Sequence, residues 1–149
     1  MFRKILVAVD GSEYSEKAAS YALAIAEKFG SEVVVLHVVT TPFFFVGIGN
    51  AGVAIAEYGT AKLLAEELEN AGKKLLEEYE VKFKEVGVKA HLVLKRGNPP
   101  TAIIETAKEE ECDLVIVGSR GLGDVKRFLL GSVSDKVSRH AHCPVLIVR

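Results

Sequence analysis

The feature that most limits what this chain can fold into is a regular alternation. Short apolar runs rich in β-branched residues are separated by stretches whose apolar residues recur at helical spacing. The first run, Arg3 to Val9, turns through Asp10-Gly11-Ser12 into Glu13 to Phe29, where Ala18, Ala19, Ala22, Leu23 and Ala26 share one helical face. Ser12 is a natural N-cap, Glu13 and Glu16 suit the positive end of the helix, and Gly30 stops it. Glu32 to Val39 reads as a second strand. A charged amphipathic helix is expected from about Glu57 to Val86, bent or broken near Gly72. Val88 to Leu94 alternates as a third strand, and Gly97-Asn98-Pro99-Pro100 opens another helix, because proline is at home in a first turn. Asp113 to Val117 is the fourth strand. A loop and a short helix from about Ser132 to His140 lead to the last strand, Pro144 to Val148. Such alternation predicts an α/β fold, a mostly parallel five-stranded sheet with helices on both faces. Ligands of these sheets sit outside the carboxyl ends of the strands, where strand order reverses. Asp10, the Val38-Val39 exit and Gly118 are therefore expected around one crevice.

The remaining bounds are quickly drawn. A chain of 149 residues without internal repeat or linker fits one domain, on a scale of about 100–200 residues each. Its net charge of −1 removes any electrostatic basis for nucleic acid or an anionic membrane as main partner. From Val33 to Ala56 no residue is formally charged, which on length alone resembles a membrane span. Pro42, Gly47, Gly49, Asn50 and Gly52 break that stretch into a buried strand and a loop, Pro42 to Ala56. Nothing at the N-terminus reads as a signal peptide, so a cytoplasmic location is expected. Glutamine is absent and asparagine scarce, a bias reported for hyperthermophiles.

Beyond the fourth strand stand Gly118-Ser119-Arg120-Gly121 and, nine residues on, Gly131-Ser132-Val133-Ser134-Asp135. Two glycines just past a strand let the backbone turn tightly and present N–H groups inward, a nest suited to an anion. Ser132 followed by Asp135 has the form of a capping box, which starts a helix whose free N–H groups and positive end favour phosphate oxygens. Ser132 and Ser134 add hydroxyl donors, and Arg120, Lys126 and Arg127 offer positive charge. The blander alternative is that the glycines only mark turns and the serines only cap helices.

The pattern Gly118-x2-Gly121-x9-Gly131-Ser132 resembles the ATP-binding signature of the universal stress protein family. The likeness extends to Ile5-Leu6-Val7-Ala8-Val9-Asp10-Gly11-Ser12, Leu36-His37-Val38, Gly97-x-Pro99 and Cys143-Pro144-Val145-Leu146-Ile147-Val148. It implies a Rossmann-like fold of the adenine nucleotide alpha hydrolase type, with strand order 3-2-1-4-5. It also implies a site in which Ala8 and Asp10 lie against the adenosine and Val38 meets the adenine ring, partly through its backbone. Val117, Gly118 and Gly121 would touch ribose and phosphates, while Gly131, Ser132, Val133 and Ser134 hold the phosphates. Mg²⁺ or Mn²⁺ would be carried mainly by phosphate oxygens and water. The family's habit of pairing through the last strand makes Val145 to Val148 the expected homodimer contact.

Several rival signals deserve their own reading. Gly47-x-Gly49-x-x-Gly52 matches a dinucleotide fingerprint, with Glu66 and Glu67 downstream, but the motif needs a tight strand-to-helix turn. Thr40-Thr41-Pro42 intervenes here, so the loop is read as an apolar flap beside the nucleotide or a subunit contact. Phe43, Phe44 and Phe45 would form a partner surface if exposed. His140-x-His142-Cys143 lacks a fourth ligand and zinc spacing. His37 is read as a satisfied core or site-wall histidine. Cys112 and Cys143 precede the fourth and fifth strands and, if those strands are neighbours, could come within disulfide range. Glu66 to Glu85 reads as a solvated helix face.

Three functions stay open at this point: a regulatory module that holds ATP (or AMP or ADP), a slow ATP hydrolase or phosphotransferase, and a scaffold without nucleotide. No Walker G-x4-G-K-[ST] is present. No acid or histidine has a clear claim to face the terminal phosphate, with Asp124 and Asp135 the candidates, which favours binding over catalysis.

Overall fold

The apolar runs form the strands expected of them, and their order is the functionally important fact. A computed structural model of the chain describes residues 1–40, 51–122 and 130–149, without the side chains of 51–61. Nine elements follow one another: β1 (Lys4–Ala8), α1 (Glu13–Phe29), β2 (Glu32–Val39), α2 (Ala51–Glu85), β3 (Ala90–Arg96), α3 (Pro99–Glu109), β4 (Leu114–Gly118), α4 (Ser132–His140) and β5 (Val145–Val148). The strands pair in parallel in the order β3-β2-β1-β4-β5, as the family resemblance implies. The chain moves outward from β1 to β3 and then crosses back to β4. The carboxyl ends of β1 and β4 therefore flank the point where strand order reverses.

Each face of the sheet carries its own core. Ile5 and Val7 of β1, Val33 and Val35 of β2 and Ile116 of β4 meet the small face of α1 (Ala18, Ala22, Ala26) and Leu76, Tyr79 and Phe83 of α2. On the other face, Leu6, Val34, Leu36, Val115 and Val117 meet Ile103 and Ala107 of α3 and Val137 of α4. Burial on both faces explains why these strands read as continuous apolar runs. Alanine on α1 lets that helix lie close over the central strands.

Local chemistry sets most element ends. Ser12 accepts from the Ser15 backbone N–H at 3.1 Å, and Gly30 closes α1 in the left-handed conformation with φ 67°. Asn98 caps α3, accepting from the Thr101 N–H at 3.3 Å, with proline in the first turn.

Four expectations need correction. Helix α2 begins at Ala51, so residues 51–56 belong to it rather than to the Pro42 to Ala56 loop; Pro42–Asn50, with Phe43, Phe44, Phe45, Gly47 and Gly49, lies outside the described residues. Helix α2 also runs unbroken through Gly72. A Cβ at that position would come within 2.6 Å of His37 Cδ2, so the glycine serves close helix–sheet packing. Strand β3 is shifted two residues later than its alternation predicts, and β4 one residue later, ending on Gly118. Lastly, the Ser132 capping box does not form: Gly131 is the N-cap and no side chain caps α4.

Cys112 and Cys143 are both free thiols. Burial pushes the Cys112 thiol up to about 12 and raises that of Cys143 as well, which keeps both protonated and weakly nucleophilic. No helix among the described residues is long and apolar enough to cross a membrane.

Candidate functional site

At the carboxyl ends of β1, β2 and β4 lies a cavity of about 340 Å³, within the roughly 300–1,000 Å³ of ordinary ligand sites. Of the residues the sequence singles out for a nucleotide, all but Ser132 line it. Ser132 is exposed on the first turn of α4. The walls are chiefly apolar, with Leu36 and Val38 from β2, Ile103 from α3, Val117 from β4 and Val133 from α4. Polar groups converge at a few points, the usual composition of a small-molecule site.

The turn after β1 is one of those points. The Asp10 carboxylate accepts from the Ser12 N–H at 2.9 Å through Oδ1 and from the Leu122 N–H at 3.2 Å through Oδ2. One side chain thus joins the start of α1 to the segment after β4. Ser15, a cavity residue, donates its hydroxyl to the Ser12 carbonyl and accepts from the Asp10 N–H.

The two glycines of the first cluster are required for reasons the sequence does not reveal. Neither has a positive φ, and Gly118 ends β4 rather than following it, so neither acts as the tight-turn residue expected. A Cβ at Gly118 would stand 2.8 Å from the Tyr14 backbone carbon, and one at Gly121 would stand 2.8 Å from Asp10 Oδ2. Glycine here lets the first turn of α1 and the Asp10 carboxylate close on the loop.

The second cluster supplies an open helix end. The first intrahelical bond at this end is Asp135 N–H to the Gly131 carbonyl, at 3.0 Å. The N–H groups of Ser132, Val133 and Ser134 precede it, have no intrahelical acceptor, and receive no side-chain cap. The Gly131 N–H is spent on the Ser119 carbonyl at 2.8 Å, which ties the two clusters together. Ser134 corrects the expectation of a free hydroxyl donor: it is 1% exposed, and its hydroxyl lies 3.0 Å from both the Ser119 and Gly131 carbonyls. What this end offers an anion is backbone N–H and dipole. Arg120 lines the cavity nearby, its guanidinium 6.0 Å from the Tyr14 ring centre. Lys126 and Arg127 lie outside the described residues.

His37 also stands in the wall. Its Nδ1 lies 2.7 Å from the Val9 carbonyl, an acceptor, so that nitrogen carries the proton and donates. This is the satisfied site-wall histidine expected. His140 Nδ1 lies 2.9 Å from the Lys136 carbonyl and His142 Nε2 lies 3.1 Å from the Cys112 carbonyl, so the two rings serve separate backbone groups. No group of three or more metal-ligating side chains occurs among the described residues. Asp135 pairs with Arg139 at 3.0 Å, and Asp124 lies outside the described residues.

Cavity residues the sequence reading missed include Leu68 of α2 and Ile103 of α3. Both have the spacing of core residues, and only tertiary placement sets them apart.

Known proteins resemble this chain in sequence and in fold. Residues 1–149 match the universal stress protein family. The universal stress protein YxiE of Bacillus subtilis is 40% identical over 153 residues, covering 100% of each chain. A solved universal stress protein in complex with cAMP is 26% identical with a TM-score of 0.73, covering 99% of this chain and 97% of that one. An Arabidopsis thaliana protein of the family with AMP bound is 25% identical with a TM-score of 0.64, covering 97% and 90%. With its full length matched and a relative at 40% identity, the chain belongs to the universal stress protein family.

Proposed function

We propose that the crevice binds an adenine nucleotide, with ATP as the ligand, and that the protein acts as a nucleotide-holding regulatory module in the stress response. The observation that carries this reading is the junction of an apolar cavity at the switch point with the uncapped N-terminus of α4. An adenosine has apolar walls to pack against, and phosphates have N–H groups and a positive dipole end to receive them. The cAMP and AMP complexes of family members support an adenine nucleotide as the ligand class. In this reading Ala8, Asp10 and Val38 face the adenosine. Val117, Gly118 and Gly121 face the ribose and inner phosphate, and Gly131, Ser132, Val133 and Ser134 face the outer phosphates through their backbone.

Mg²⁺ or Mn²⁺ would accompany the phosphates, carried mainly by their oxygens and water, and would supply charge neutralisation. The described residues fit the phosphates of such a complex, since the uncapped start of α4 provides anion donors. The role in this reading is binding rather than turnover, since the chain carries no Walker G-x4-G-K-[ST] and Asp135 pairs with Arg139. The protein pairs with a second copy through the edge strand β5, Val145–Val148, whose outer side has no strand beside it among the described residues. It works in the cytoplasm.

Calorimetric titration with ATP, AMP, cAMP and NAD tests the reading, together with phosphate release and sedimentation. Saturable ATP binding without release is expected. Gly131→Glu, which places bulk and negative charge at the open end of α4, should abolish that binding while leaving the fold intact by circular dichroism. Unchanged affinity in the folded variant would refute the phosphate assignment. Turnover at ~1 s⁻¹, low in the enzyme range, would move the assignment to a hydrolase.

A further inference from the structure

Helix α2 reads in sequence as a solvated face, yet its burial forms a continuous line that ends in the crevice. Leu76, Tyr79 and Phe83 are buried against the sheet. Gly72 is buried one turn earlier, and Leu68, a further turn toward the carboxyl edge of the sheet, lines the cavity with Val38 and Val39. Residues at these intervals of three and four share one helical face. We infer that Leu68 is a specificity-determining residue that closes over the base of the bound nucleotide, and that Gly72 is the positioning residue that brings it there. The inference rests on the nucleotide reading above.

Two observations hold this part of α2 down on the sheet. A Cβ at Gly72 would stand 2.6 Å from His37 Cδ2, 3.2 Å from its Nε2 and 3.0 Å from Leu94 Cδ1. The imidazole cannot turn aside freely, because its Nδ1 is bonded to the Val9 carbonyl. Any side chain at position 72 therefore lifts the helix one turn from the cavity. Glu69, next to Leu68, pairs with Arg96 at the carboxyl end of β3 and with Lys73. Close packing and an ion pair act on the same turn.

Placement argues for the base rather than the phosphates. Helix α2 packs over β2 and β3, on one side of β1, whereas the open end of α4 lies toward β4 and β5, on the other. Leu68 offers contact area and no hydrogen bond, and its cavity neighbours Val38, Val39 and Pro99 have apolar side chains. A wall of this kind measures size. A purine covers more of it than a pyrimidine does.

The test compares ATP, CTP and inorganic tripolyphosphate by calorimetry on the full chain, using wild type, Leu68→Ala and Gly72→Ala. Leu68→Ala is expected to weaken ATP about tenfold, CTP less, and tripolyphosphate not at all. Gly72→Ala should reproduce this selective loss, with a folded circular dichroism spectrum as control. If Gly72→Ala does not fold, Leu68→Ala decides alone. Unchanged ATP affinity in folded Leu68→Ala would overturn the inference and leave the nucleotide reading standing. An equal loss for all three ligands would overturn it by assigning Leu68 to the fold. A wild type that binds no nucleotide would overturn the underlying reading instead.

Discussion

Replacing Gly118 by alanine puts one methyl group where two pieces of backbone meet. The new Cβ would stand 2.8 Å from the Tyr14 carbonyl carbon and 2.8 Å from its Cβ, with the Tyr14 oxygen at 3.0 Å. Ordinary contact begins at 3.4 Å, so the first turn of α1 and the end of β4 must separate by about 0.6 Å. A flexible side chain would yield at little cost, but here the obstacle includes backbone of a capped helix whose Ser12 and Ser15 are buried. Overpacking of this sort costs about 1–3 kcal/mol, and a backbone obstacle places Gly118→Ala in the upper half of that range. In a domain of this size each kcal/mol lowers Tm by roughly 2–4 °C. The expected fall is therefore about 4–12 °C in a calorimetric scan, with weaker ATP binding because Gly118 and Asp10 both line the cavity. Gly30→Ala is the control: nothing lies within 4 Å of its Cβ, and only its φ of 67° is unfavourable, a cost of about 1–2 kcal/mol. A Gly118→Ala variant melting within a degree of wild type would refute the claim that close approach of Tyr14 requires glycine at this position.

Three further outcomes follow from the same coordinates. Asp10→Ala removes the acceptor shared by the Ser12 and Leu122 N–H groups, and a lost charged acceptor costs about 1.5–3 kcal/mol; chemical denaturation should register it, and an unchanged midpoint would contradict the role given to Asp10. Burial keeps Cys112 protonated far above neutral pH, so a thiol reagent at pH 8 should label it only after denaturation; rapid native labelling of Cys112 would show that its cover is open. Hydrogen bonding and charge attraction from Lys82 hold Glu16 below its ordinary value. Its contribution is then full above the unfolded carboxylate pKa of about 4.3 and is lost as pH falls through the lower folded value. With both side chains more than half exposed, the difference between wild type and Glu16→Gln should stay under about 1 kcal/mol at pH 7 and vanish in strong acid; a gap that widened on acidification would refute the pairing.

Where local chemistry decides, the sequence is readable: Ser12 and Gly30 bound α1 because a hydroxyl cap and a left-handed glycine act within one turn. The crevice was legible for a different reason, since strand ends at a switch point gather wherever α/β alternation does. What escaped the sequence is tertiary. Gly72 has the look of a helix breaker until His37 is seen pressed against it. Ser132 and Asp135 have the spacing of a capping box, but Gly131 takes the cap position. The Ser134 hydroxyl turns to the Ser119 carbonyl, fifteen residues away, which no local pattern announces. Leu68 and Ile103 carry no chemical mark at all. The strand order, too, came from the family resemblance rather than from periodicity.

The two cores of this protein lie on opposite faces of the sheet, with no residue in common. The cavity is built across their boundary: Ser15 and Leu68 come from the α1 and α2 layer, Ile103 and Val133 from the α3 and α4 layer. A molecule seated there fastens one layer to the other at the carboxyl edge of the sheet. Occupancy then has a mechanical meaning. Partial opening of either layer would have to release the ligand first, so binding should slow amide hydrogen exchange in helices on both faces together, including segments that never touch it.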